Sequence, residues 1–168
     1  MSFKEVDIKS IHFNPFSAIG TDWMLITAGD KEKFNTMTAS WGGVGVLWGK
    51  NVATCYIRPQ RYTKEFVDKN DTFTLSFFPD GYREALNICG TLSGRDCDKV
   101  KKAGLTPVFL DETPAFEEAR LVLVCRKLYE DEIKPEHFLD SSADEKWYPK
   151  KDYHTMYIAE IIGAYVNE

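Results

Sequence analysis

The sequence predicts a mainly β fold, an antiparallel barrel or sandwich with short helices inserted between its strands. Three observations predict it. From Asp71 to Phe78, Phe73, Leu75 and Phe77 alternate with Thr72, Thr74 and Ser76, the period of a strand with one apolar face. Further short β-rich runs recur along the 168 residues, separated by Gly, Pro and Asp turn signals. A doubly wound parallel sheet is excluded, because strict βα alternation and a GxGxxG turn are both missing.

In chain order, Trp23 to Ala28 is an apolar run closed by the turn signal "GDKEK", and "FNTMTASW" (Phe34 to Trp41) reads as the returning strand. Asn51 to Ile57 is a third strand and Asp71 to Phe78 a fourth. Between them "RYTKEFVDKN" reads as a short helix, with Thr63 able to cap it, Glu65 in its first turn, and Phe66 with Val67 on its apolar side. After Pro79-Asp80-Gly81 a second helix, "YREALNIC", precedes Gly90, where a left-handed cap is expected. A third helix is expected from Arg95 to Ala103, closed by Gly104. "EEARLVLVCRKLYEDEI" and "TMYIAEIIGAYV" supply the last two strands. The segment from Asp131 to Tyr153 has no clear period, and Phe138, Trp147 and Tyr148 within it favour a packed cover.

One domain spanning residues 1–168 is expected, since this length buries one substantial core and not two. A net charge of −5 gives no broad electrostatic reason to bind nucleic acid or an anionic membrane, so an anion site must be local. The first residues lack the continuous apolar core of a signal peptide, and a cytoplasmic protein is the simplest reading. The four cysteines are dispersed without CxxC or zinc-like spacing, so no metal site is expected.

Four segments could carry chemistry. In "IRPQRYTKEF", Arg58 and Arg61 flank a stiffened turn that enters a helix with Tyr62 and Thr63 in its first turn; this reads as a phosphate cradle or as a solvated charged turn. "FNTMTASWGGVGVLWGK" bares its backbone beside two tryptophans. That suits either a flat heteroaromatic ligand held by main-chain groups or a glycine-bent strand with Trp41 and Trp48 in the core. "CGTLSGRDCDK" places Ser93, Gly94 and Arg95 in a polar loop that lacks the spacing of a nucleophile elbow, and Cys89 stands beside it. His154, just before the last strand, offers an imidazole near neutrality, either structural or placed to donate to a ligand.

Taken together, "FNTMTASWGG", "RPQRYTKEF", "SGRDCDKVKKAGL" and "YPKKDYHTMYIAEI" resemble, in this order from Phe34 to Ile161, the flavin reductase-like family with the FMN-binding split barrel, close to its flavoredoxin branch. The resemblance implies a homodimer of six-stranded antiparallel split barrels with FMN near the subunit interface. It implies that Thr38, Ala39, Ser40 and Trp41 line the isoalloxazine, and that Arg58, Arg61, Tyr62 and Thr63 hold the phosphate end. Cys89, Ser93, Gly94 and Arg95 would lie in the loop near the flavin, and His154 at the flavin edge where a nicotinamide could stack. One departure is Ala159-Glu160, where the family commonly has Gly-Glu.

The activity implied is an FMN-dependent oxidoreductase, a flavin reductase using NADH or NADPH. Two other readings compete with it: a flavoredoxin-type carrier reduced by an electron-transfer protein partner, and a non-catalytic ligand-binding split-barrel module.

Overall fold

A computed structural model describes residues 2–167. β1 (Phe3–Glu5) leads through a 3-10 turn into α1 (Pro15–Gly20), where Asn14 accepts from the Phe16 amide and Pro15 occupies the first turn. β2 (Met24–Gly29) and β3 (Phe34–Ala39) form the hairpin expected around Gly29-Asp30. β4 (Gly42–Leu47) and β5 (Lys50–Ile57) form another, turning at Trp48 and Gly49 with φ of 52° and 70°. Then follow α2 (Tyr62–Lys69), β6 (Thr72–Phe77), α3 (Arg83–Thr91), α4 (Lys99–Lys102), the hairpin of β7 (Pro107–Leu110) and β8 (Thr113–Phe116), and β9 (Leu121–Glu132). A 3-10 turn, α5 (Ser141–Trp147) and β10 (Thr155–Asn167) complete the described chain. No helix among these residues is long and apolar enough to cross a membrane.

The main sheet is antiparallel with the order β3-β2-β6-β9-β10-β5-β4, and β1 pairs with the far end of β10. β3 and β4 stand at opposite ends of this order, yet only Ser40 and Trp41 join them. A flat sheet would separate its end strands by about 29 Å at a spacing of ~4.8 Å, whereas three Cα steps reach about 11 Å. The sheet must therefore roll, and it leaves a split where β3 and β4 approach without pairing.

Period two then sorts the side chains. Met24, Ile26, Met37, Ala53, Cys55, Phe73, Leu75, Phe77, Leu123 and Tyr157 fill the barrel. On the other face of β2, β6 and β9, Leu25 and Val122 pack against α3, Leu105 and Phe116 in a second apolar cluster. The polar face of β6 is buried too: Thr74 donates to the Pro114 carbonyl at 2.6 Å and Thr72 meets Thr113 at 2.8 Å, so β8 satisfies both threonine hydroxyls, while the Ser76 hydroxyl is buried without a hydrogen-bond partner among the described residues. Ala159 sits inside the barrel opposite Ala53, at an irregularity between Ile158 and Ala159. Its methyl group faces the core.

The mainly β class and all six expected strands are present, but the sheet has eight strands because β1 and β4 join it. β1 has three residues, and β4 is "GGVGVL", poor in side chains that favour a strand. Three local expectations need correction. Arg61, not Thr63, stands at the start of α2, and no side chain caps it. Gly90 lies within α3 and carries no left-handed cap. The expected helix from Arg95 to Ala103 shrinks to α4, because the Ser93 carbonyl takes the Asp96 and Cys97 amides in a turn of its own and Asp98 caps what remains.

Gly42 closes the corner between Ser40-Trp41 and β4. Its φ is +155°, and an added Cβ would lie 2.7 Å from the Thr54 carbonyl oxygen. Gly42→Ala is expected to lower unfolding free energy by about 2 kcal/mol in urea titrations, and Gly43→Ala, where the added methyl meets open space, by less than about 0.5 kcal/mol. Equal effects would contradict this account of the corner.

Candidate functional site

The rolled sheet leaves a cleft of about 480 Å³ beside its split. One wall is the end of β3 and the corner after it, Met37 to Trp41. Opposite it the end of β5 contributes Tyr56 and the turn beyond contributes Arg58, Gln60 and Arg61, while Gly90, Trp147 and His154 come from α3, α5 and the approach to β10.

β3 is an edge strand, paired only with β2 among the described residues. The Thr38 carbonyl is turned away from β2, since it accepts from Arg61 Nη2 at 3.3 Å. Within a strand the N–H and C=O of one residue point the same way, so the Thr38 amide also faces away from β2. The Thr38 hydroxyl is anchored outside the barrel by donating to the Leu86 carbonyl at 2.5 Å. The wall thus offers main-chain polarity with little side-chain bulk.

The two arginines differ. Arg58 is fully engaged by the cover segment: Nη1 contacts Asp152 Oδ1 at 3.0 Å, Nη2 donates to the Trp147 carbonyl at 3.0 Å, and the guanidinium lies 5.0 Å from the Tyr148 ring centroid. Hydrogen bonds from Gln60, with the Arg58 charge, hold the Asp152 carboxyl below its usual range. Arg61 is half-buried and donates from Nη1 to the Gly90 carbonyl at 2.8 Å as well as to Thr38, and no carboxylate pairs with it among the described residues. Burial lowers its pKa. It remains a cation without a neutralising partner, and partial dehydration strengthens its pull on an anion.

His154 is buried, with its ring centroid 5.2 Å from that of Trp41. Nδ1 lies 2.7 Å from the Tyr148 hydroxyl, which leaves Nε2 as the nitrogen available to a ligand. Burial, with the charge of Arg58 next, pulls the imidazole from its usual 6.5 down to about 4, so it is neutral near pH 7.

The segment after β9 is the packed cover that its aromatics suggest. Phe138, Tyr148 and Tyr153 stack on one another, with Tyr148 and Tyr153 centroids 4.8 Å apart. Its one helix, α5, begins at Asp140, which accepts from the Ser142 amide. Trp147 at the end of α5 meets Trp41 edge to face at 5.0 Å. A second groove of about 580 Å³, lined by Phe16, Ile19 and Val44, lies across Trp41 and Tyr56; it has no cationic side chain to hold an anion.

The cleft therefore brings together Thr38, Ala39, Ser40, Trp41, Arg58, Arg61 and His154. Six other candidates lie outside its lining. Thr63 is buried and accepts from Asn35 Nδ2 at 2.8 Å. Tyr62 packs on Phe66, and Arg95 lies 4.4 Å over its ring while pairing with Glu65. Gly94 is pressed against Asn35, where an added Cβ would fall 2.0 Å from Oδ1, and the Ser93 hydroxyl accepts from the Arg95 amide. The Cys89 side chain belongs to the second apolar cluster, and burial raises its thiol to about 11. Tyr56 and Gln60 went unnoticed in the sequence. Tyr56 shares the strand parity of Arg58, a signal that could have found it; Gln60 carried none.

A bare strand edge, an unneutralised arginine and two tryptophans suit a planar ring with an anionic tail, and FMN has that chemistry. A model of the flavin reductase-like domain matches residues 16–168. The fold resembles an FMN-binding domain of a flavin reductase-like enzyme from Shewanella baltica (TM-score 0.70, 16% identity, 98% of this chain and 77% of that one). It also resembles the flavoredoxin of Desulfovibrio vulgaris (0.68, 22%, 88% and 70%) and an NADH:FAD oxidoreductase from Streptomyces globisporus (0.65, 17%, 86% and 74%). No curated protein matches the sequence. With the family model covering nearly all of the chain and the rolled sheet shared with these structures, the chain belongs to the flavin reductase-like family.

Proposed function

We propose that this protein is an FMN-dependent oxidoreductase, a flavin reductase that takes electrons from NADH or NADPH. The observation that carries the reading is Arg61, a half-buried cation without a carboxylate partner, set beside the free edge of β3. Bound FMN would supply acceptance of a hydride at N5 and release of one or two electrons. The chain's own residues would bind and orient it. Arg61 would offset the phosphate charge, and the main chain from Thr38 to Trp41 would meet the polar edge of the ring. Trp41 and Trp147 would keep water from one side, and neutral His154, steadied by Tyr148, would present Nε2 to the nicotinamide side. Arg58, already holding Asp152 and Trp147, would act by keeping the cover in place.

The flavoredoxin-like fold supports a second reading, an FMN carrier reduced by a protein partner. Purified protein is expected to show a flavin spectrum, and anaerobic mixing with NADH or NADPH to bleach it on a catalytic timescale. A yellow protein that nicotinamides do not bleach would favour the carrier, and a protein that neither carries nor takes up FMN would leave a non-catalytic module.

Arg61→Ala is expected to weaken FMN binding by roughly 10²-fold, the worth of a charge-assisted phosphate contact, and His154→Ala by less than tenfold. Equilibrium dialysis that gave the reverse order would overturn the phosphate assignment. We also infer a homodimer, because Val46 (75% exposed), Trp48 (59%) and Tyr129 (44%) leave apolar surface on β4, its turn and β9, with Trp48 edge to face on Tyr129. Sedimentation should show a dimer that Trp48→Glu weakens; a wild-type monomer at micromolar concentration would refute the inference.

A further inference from the structure

The hydrogen bond between the Tyr148 hydroxyl and His154 Nδ1, 2.7 Å long, joins two side chains that are 5% and 7% exposed. Either group could supply the proton, because a neutral imidazole carries one N–H and a phenol one O–H. The surroundings decide between them. Burial raises the Tyr148 pKa, with the Arg58 charge opposing, so the hydroxyl keeps its proton near pH 7. The His154 main-chain N–H acts on the phenol oxygen, and no acceptor other than Nδ1 takes its proton among the described residues. Were Nδ1 the donor instead, the Tyr148 proton would be left buried and unpaired, at the cost of desolvating a donor for nothing. The phenol therefore donates, and the imidazole proton sits on Nε2.

We propose that Tyr148 is a positioning residue that fixes the Nε2–H tautomer of His154, so that the cleft presents a hydrogen-bond donor to a neutral acceptor, the carboxamide oxygen of the nicotinamide. The proposal rests on the reductase reading and goes beyond it, in naming the tautomer, the residue that sets it and the ligand atom it serves. Tyr148 is well held for this. Its amide donates to the Asp144 carbonyl at 2.9 Å where α5 ends, its carbonyl takes the Lys151 amide at 3.0 Å, and its ring packs on Tyr153 and lies 5.0 Å from the Arg58 guanidinium. The His154 carbonyl accepts from the Ile133 amide at 2.9 Å. Placement of the cover thus sets which hydrogen-bonding character the imidazole shows to the cleft.

The charges around the ring act in the same sense. Burial is the largest cause of the low imidazole pKa, Arg58 and Arg61 add to it, and Asp152 opposes; Tyr56 meets the ring edge to face at 6.4 Å. A hydrogen bond into the Nδ1 lone pair also favours the neutral ring. The donor form is therefore present at pH 7 and is lost only as pH falls through about 4, where Nδ1 takes a proton and its bond to Tyr148 has to reverse.

The test reads the tautomer directly, by proton–nitrogen NMR of protein with nitrogen-labelled histidine at pH 7, the His154 signals being assigned by their loss in His154→Gln. The wild type should show a pyridine-type Nδ1 and a pyrrole-type Nε2. In Tyr148→Phe the two shifts should move toward each other as both tautomers populate. In stopped-flow reduction of the FMN-loaded protein, Tyr148→Phe should raise the half-saturating concentration of NADH or NADPH about fivefold, the worth of one neutral hydrogen bond, and change FMN affinity by less than about twofold. His154→Gln keeps a donor that needs no tautomer, so Tyr148→Phe should add nothing in that background. A pyrrole-type Nδ1 in the wild type, shifts indifferent to Tyr148→Phe, or a Tyr148→Phe effect of equal size in both backgrounds overturns the proposal. If Tyr148→Phe does not fold, the wild-type shifts decide alone. A bound flavin that neither nicotinamide reduces refutes the reductase reading and the ligand atom named with it, while the nitrogen shifts still sustain or overturn the tautomer.

Discussion

The two-residue link between β3 and β4 is the constraint on which the rest depends. Ser40 and Trp41 tether the opposite ends of a seven-strand order, and main-chain geometry allows that only if the sheet rolls. Rolling turns one face of every strand inward as the core. It also leaves the β3 edge unpaired beside β5 and the turn to α2, which is where the cleft forms. A barrel closed by hydrogen bonds between β3 and β4 would use up that edge, so the unjoined seam and the candidate site have a common origin.

Charge at the cleft is arranged with helix ends and carbonyls more than with ion pairs. Arg61 and Lys99 share the C-terminal end of α3, whose carbonyls would otherwise lack partners. An acidic partner for Arg61 would satisfy it just as well but would repel an anionic ligand. Arg58 shows the other solution: bound to Asp152 and to the Trp147 carbonyl, its charge is committed to the fold and fastens the aromatic cover. Two arginines three residues apart thus carry different duties, which sequence spacing does not distinguish.

The legible parts of the sequence were those with a local cause. Phe73, Leu75 and Phe77 announce the inward face of β6 through alternation alone, and the Gly29-Asp30 turn announces its hairpin. β4 was hidden because its glycines carry no strand preference and only the ladder to β5 makes it extended. Thr63 had the chemistry of a cap, yet Asn35, distant in sequence, claims its hydroxyl and draws it inside. The cover illustrates both sides: its aromatics signalled packing, while α5 went unseen for want of an apolar stripe.

By itself, the sequence determined the β class, the six principal strands and the segments that could carry chemistry, because side-chain period and turn residues act within a few positions. Tertiary structure decided which candidates share a cleft. It placed Thr38, Arg61 and His154 around one space and committed Thr63 and Cys89 to the interior. The physical reason is that burial and hydrogen-bond partnership depend on residues tens of positions away, and no local pattern encodes which of them will arrive.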